Sequence, residues 1–174
     1  MSMSEIYDPG HDKWLRRKTL TAVNDASMRT VIDVGEYGQY NLDEPIQHDG
    51  SGTGPSPLQS VLGALCGCEA VTFRRTATEK GFKYDSINFD AAFTIDIRGR
   101  LGDRTVRQHF KTVQVRAIVA TEESVDDLVA LIDETEARCP VMNLLLDANV
   151  DLTITWVRQS SEGLSTVSRL QVDA

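Results

Sequence analysis

Residues 50–81, GSGTGPSPLQSVLGALCGCEAVTFRRTATEKG, open on a glycine turn, carry two of the chain's three cysteines and close on a glycine. The stretch predicts one long helix with its own start and stop signals. Ser56 is a preferred N-cap, Pro57 suits the first helical position, and Gln59 completes a capping box with Ser56 that satisfies otherwise orphaned backbone donors. No proline interrupts the run from Pro57 to Lys80, and Gly81 stands where a left-handed cap is expected after a cationic last turn. Such a helix spans roughly 36 Å at about 1.5 Å per residue. Between Leu58 and Val71 its only polar residues are Gln59, Ser60 and Glu69, so this half is expected to be buried nearly all round.

Two residues apart on a helix, Cys66 and Cys68 point roughly 200° away from each other, so only one of them faces a given site. Their spacing is neither the Cys-x-x-Cys of a dithiol redox motif nor a zinc knuckle. Gly63, Ala64 and Gly67 on the same turns permit close approach of another helix. The alternative account of the two thiols is plain core packing.

Further out from the helix, composition bounds the class. A chain of 174 residues, 41% of them hydrophobic, has the size of one domain with a core that needs no staples, and one domain over 1–174 is expected. Its formal charge of −8, with no cluster of Lys and Arg, argues against nucleic acid or an anionic membrane surface as partner. The first residues lack an apolar signal core and no run approaches the ~18 apolar residues of a membrane span, which predicts a cytosolic protein. In a reducing compartment three cysteines do not make a disulfide framework; any function they have is catalytic, redox or metal-binding.

Before the helix, 1–13 is polar and expected to be loose or to wrap a partner. Thr19–Val23 and Met28–Val34 are rich in β-branched residues and separated by the turn pair Asn24-Asp25, which predicts a hairpin. Gln39–Leu42 adds a third strand. After Gly81, apolar Ile87, Phe89, Ala91, Phe93, Ile95 and Ile97 alternate with polar residues as a half-buried strand, turned by Leu101-Gly102-Asp103. Residues 105–121 return as its partner, and their apolar set shifts from even to odd positions in a way that predicts a bulge near Lys111. Ser124 with Asp127 caps a second helix running to Arg138. Pro140 breaks that helix and opens a third, with Cys139 as its N-cap. Val150, Leu152, Ile154 and Trp156 make a last strand, and 160–174 reads as a polar tail. Hairpins in place of β-α-β units indicate an α+β fold with a mostly antiparallel sheet.

The nucleophilic form of a cysteine is its thiolate, favoured at helix N-termini and near cations. Position alone therefore favours Cys139. A Cys68 buried in mid-helix needs a cation to ionise, and an arginine is the natural candidate. Spacing does not decide between a working pair and free cysteines packed as small hydrophobes. His11, His48 and His109 have no second histidine or cysteine at metal spacing, so no metal is expected. The Gly50–Gly54 turn lacks the Lys-Ser/Thr ending of a phosphate loop, and no cofactor is expected. Arg74 and Arg75 read as solvated residues on the outer half of the helix.

Met28-Arg29, Asp43-Glu44-Pro45, Gly52 to Leu58, Ala64 to Thr72 and Arg138-Cys139-Pro140-Val141 follow one another in an order and at intervals that resemble the OsmC/Ohr family of osmotically induced and organic hydroperoxide resistance proteins. The OsmC-like branch is the nearer. The resemblance covers roughly Leu20 to Trp156 and implies an intertwined homodimer, with mostly antiparallel sheets wrapped around long central helices. It implies that Cys68 attacks a hydroperoxide, that Cys139 resolves it as a disulfide, that Arg29 holds the reactive thiolate and that an external dithiol resets the pair. Cys66 falls where many relatives carry glycine. Ohr-type members pair the arginine with a glutamate before the glycine turn. This chain has Ile46-Gln47-His48-Asp49 there, with Gln47 nearest the expected place and Glu44 and Asp49 as possible substitutes. The expected activity is thiol-dependent reduction of organic hydroperoxides; the alternative is a non-catalytic stress-response or ligand-binding protein of the same fold.

Overall fold

A computed structural model of the chain describes residues 13–173. Apart from Lys13, the segment 1–13 lies outside the described residues, and so does His11. The chain divides into two compact units, Met1–Ser60 and Val61–Ala174.

In the first unit, Asn24 organises the turn between β1 (Thr21–Asn24) and β2 (Thr30–Asp33). Its amide donates to the carbonyls of Ser27 and Arg29 at 3.0 and 2.8 Å, and its oxygen accepts from Ala26 N–H at 2.9 Å. That network holds Ala26 at φ 64°, a conformation a side-chain-bearing residue rarely adopts without such support. Antiparallel pairing with β3 (Gln39–Leu42) completes the expected three-stranded meander. The glycine turn follows, and Asp43, fully buried, is its anchor. One Asp43 carboxylate oxygen accepts from the hydroxyls of Ser51 and Thr53 at 2.6 and 2.9 Å and from the Thr53 N–H at 3.0 Å. These bonds, Ser51 foremost, hold the carboxyl well below the usual carboxylate range. The donors of this loop are thus spent on the protein's own anion.

The helix α1 runs over Pro57–Lys80, with the capping box formed as predicted: Gln59 N–H donates to Ser56 Oγ at 3.3 Å and Ser56 N–H to Gln59 Oε1 at 3.0 Å. Gly81, at φ 71°, ends it. Its burial is narrower than expected. Within 58–71 only Leu65 and Glu69 are buried in the single chain, and they continue into Phe73, Thr76 and Ala77 as one stripe at helical spacing.

The second unit holds a four-stranded sheet in the order β4 (Ser86–Ile95), β5 (Phe110–Ala120), β6 (Asp151–Ser160), β7 (Gly163–Val172). Thr94 pairs with Thr112 and Ile95 with Phe110, leaving Lys111 as the extra residue of the predicted bulge. Pairing of β5 with β6 is parallel and the rest antiparallel, because α2 (Val125–Arg138) and α3 (Pro140–Asp147) intervene as a crossover. In register, Val113, Val115 and Ala117 of β5 sit beside Leu152, Ile154 and Trp156 of β6 on one buried face. Phe73 of α1 stacks on Trp156 at 5.6 Å, and Trp156 Nε1–H donates to Glu136 of α2 at 2.8 Å, so both helices cover that face. Burying each of these large side chains contributes about 1.5–3 kcal/mol.

Two strand expectations are corrected. The alternation through Ile97 stops at Ile95: the Asp96 carboxylate accepts from Arg98 N–H at 3.0 Å and caps a single helical turn, Ile97–Arg100, so strand pairing resumes only at Phe110. The 160–174 segment is no tail. From Gly163 to Val172 it pairs with β6, and a register shift that leaves Val167 unpaired moves the apolar residues off strict alternation.

Candidate active site

Cys68 and Glu69 are neighbours on α1, and Cys139 reaches them from a different part of the chain. Pro140 cannot continue α2, so Cys139 takes extended angles, φ −80° and ψ 110°, between α2 and α3. Its side chain is 0% exposed. The Cys139 thiol lies within interaction range of both the Glu69 carboxylate and the Cys68 thiol. All three cysteines are free thiols, with Cys66 and Cys68 half-buried.

The electrostatics invert one expectation. Position at a helix N-terminus favours a Cys139 thiolate, but burial pushes this thiol far up, and the adjacent Glu69 carboxylate pushes it further. The Met142 backbone N–H acts in the opposite sense and is outweighed. Cys139 is therefore a thiol that keeps its proton. Desolvation outweighs the helix terminus because the group has lost its water while only one peptide dipole faces it. Burial also raises the Cys66 thiol, which points away from Cys68.

Glu69, one of the three polar residues in the first half of α1, is assigned no role by the sequence alone. It is 0% exposed, and among the described residues neither of its carboxylate oxygens has a hydrogen bond of proper geometry. Burial pushes its carboxyl up to about 7, with a smaller push from the Glu136 charge and an opposing contribution from the Cys139 thiol. The thiol is thus a close neighbour of the carboxylate without being a well-aligned donor to it. Glu136 is also raised by burial, while the Trp156 N–H opposes that rise. A signal for Glu69 was present in the sequence: it stands four residues after Leu65 and four before Phe73, on the buried stripe.

The other candidates belong to the first unit. Arg29, immediately before β2, pairs with Asp25 at 3.5 Å, a mostly exposed contact. Glu44 lies 4.0 Å from His48 Nδ1, and Gln47 is exposed on the 3-10 turn Ile46–His48. Asp49 is exposed at φ 63°. Among the described residues no group of three His, Cys, Asp or Glu side chains is placed to hold a metal ion, and no helix is long and apolar enough to cross a membrane.

A mixed α+β fold carrying a cysteine on a long helix and a second cysteine before a proline defines a recognisable class. The family model described as OsmC-like protein matches residues 49–155, and the chain belongs to that family. Among solved structures, the OsmC-like protein from Mycoplasma pneumoniae is similar with a TM-score of 0.70 at 17% identity, covering 82% of this chain and 97% of its own. An organic hydroperoxide resistance protein from Legionella pneumophila gives 0.60 at 17%, covering 83% and 98%. One from Elizabethkingia anophelis gives 0.62 at 14%, again covering 83% and 98%. At these identities the likeness shows the fold. No curated protein matches the chain.

Proposed function

We propose that the protein is a cysteine-based peroxidase that reduces organic hydroperoxides to alcohols. The observation that carries this reading is the meeting of Cys139 with Cys68, residues 71 positions apart whose thiols lie within range of each other. In the reaction, the Cys68 thiolate attacks the terminal peroxide oxygen, an S–O bond forms, the O–O bond breaks, and the alkoxide takes a proton and leaves as alcohol. Cys139 then condenses with the Cys68 sulfenic acid, water leaves, and a disulfide remains for an external dithiol to reduce. Arg29 enters this reading on the family resemblance alone, as the cation favouring the thiolate. The relatives named organic hydroperoxide resistance proteins support the substrate class.

Turnover of cumene or tert-butyl hydroperoxide with dithiothreitol tests it. Wild type is expected to consume peroxide catalytically, Cys68→Ser to show no more than the uncatalysed rate, and Arg29→Ala to be slower than wild type. Equal, slow consumption by wild type and Cys68→Ser would leave the non-catalytic, ligand-binding reading in its place.

A further inference from the structure

Glu69 has no task in the steps above, yet it is a fully buried carboxyl. A buried carboxyl whose two oxygens have no hydrogen-bond partner among the described residues is destabilising, since burial strips its water without replacing those bonds. A glutamine or an apolar residue would fill the same space on the stripe with less penalty. The groups that face it are few. Cys68 and Cys66 flank it on α1, the Cys139 thiol approaches from the start of α3, and Glu136 lies toward it from α2 with one oxygen already taken by Trp156. Its nearest chemistry is therefore a thiol that does not ionise by itself.

We propose that Glu69 is the proton carrier of the resolving step, accepting the Cys139 thiol proton and delivering it to the hydroxyl that leaves Cys68. This rests on the peroxidase reading. The step balances: as the proton passes from Cys139 sulfur to one Glu69 oxygen, the sulfur attacks the Cys68 sulfenic sulfur. The S–S bond forms, the S–O bond breaks, and the departing hydroxide takes a proton from Glu69 to leave as water. Glu69 returns to its carboxylate, and the only oxidant is the hydroperoxide already consumed. Two free oxygens suit a group that takes a proton on one and gives it from either. The carboxyl's position near neutrality suits both halves of the transfer, because a proton carrier works best when its pKa lies near the operating pH. The same negative charge that suppresses a resting Cys139 thiolate becomes useful once a sulfenic acid stands beside it.

Single-turnover kinetics separate the two chemical steps, with alcohol release reporting the first and disulfide formation, by quenched-flow alkylation and mass spectrometry, reporting the second. In Glu69→Gln the disulfide step is expected to slow by about a hundredfold relative to alcohol release. In wild type the disulfide step should accelerate as pH rises through about 7, where Glu69 gains its charge, and Glu69→Gln should lose that dependence. A further readout moves the opposite way: removing the negative charge should bring the Cys139 thiolate absorbance at 240 nm in at lower pH in Cys66→Ser/Cys68→Ser/Glu69→Gln than in the double-serine parent. Disulfide formation within threefold of wild type in a folded Glu69→Gln overturns the proposal and leaves the peroxidase reading standing. If Glu69→Gln does not fold, the wild-type profile decides, and a disulfide rate flat between pH 5.5 and 8.5 overturns it. No alcohol release from wild type would sink both.

Discussion

At the scale of single residues, the three cysteines differ by position on one helix and by one proline. Cys66 and Cys68 are separated by roughly 200° around α1, and the thiol of Cys139 neighbours Cys68 and Glu69. Closing a disulfide requires side chains that point toward each other as well as Cα atoms within about 7 Å, so Cys66 and Cys68, which point apart, do not pair with each other without unwinding the helix. Peroxide treatment followed by peptide mapping is expected to give Cys68 joined to Cys139, with Cys66 alkylatable after denaturation. In Cys139→Ser, Cys68 should stop at sulfenic acid or overoxidise. A predominant Cys66–Cys139 link would move the reactive position by two residues. How much of this was legible in the sequence depends on what kind of information each residue carries. The break at Cys139 was legible because proline acts on its immediate neighbour. The thiol's protonation was not, because burial and the Glu69 carboxylate are supplied by residues distant in sequence. Glu69 stood out in the sequence only as one of three polar residues in that half of α1, and its four-residue spacing from Leu65 and Phe73 was the one sign that it lies on the buried stripe.

At the scale of elements, boundaries set by local chemistry were readable and those set by pairing were not. Both ends of α1 follow from Ser56, Gln59 and Gly81, and the start of α2 follows from Ser124, whose hydroxyl accepts from Asp127 N–H at 3.1 Å. The bulge at Lys111 was readable because it leaves a change of parity in the apolar residues. By contrast, β7 is an edge strand whose residues are mostly exposed, so backbone pairing with β6 holds it and its side chains announce little. The turn before α1 shows the same contrast in a single residue. A Cβ on Gly50 would lie 1.7 Å from the Glu44 carbonyl oxygen, a backbone atom that cannot swing aside. Gly50→Ala is therefore expected to destabilise the protein by about 1–3 kcal/mol, as overpacking does, in urea unfolding followed by circular dichroism. An unchanged midpoint would mean that the turn relaxes freely and that Asp43 does not hold it in one shape.

At the scale of the whole molecule, the unexplained quantity is the apolar surface that α1 leaves uncovered. Val61, Ala64, Cys68 and Val71 recur at i, i+3, i+7 and i+10, a single stripe distinct from the one carrying Leu65, Glu69 and Phe73. In the single chain Val61 is 39% and Val71 53% exposed, and Gly63, Ala64 and Gly67 beside them are exposed as well. Apolar surface with small residues along a helix is suited to close packing against a second helix. The partner we propose is a second copy of this chain, the arrangement the family resemblance implies, because one stripe meeting its own copy across a two-fold axis buries both at once. Cys68 lies on this stripe, so the second copy would also help to exclude water from the reactive thiol. Multi-angle light scattering at micromolar concentration is expected to give twice the chain mass with no detectable monomer. Val71→Asp, which places a charge on the stripe without touching the Leu65–Phe73 core, should shift the population toward monomer and lower peroxide turnover with it. A stable, folded wild-type monomer at that concentration would refute the dimer and leave the stripe without an occupant.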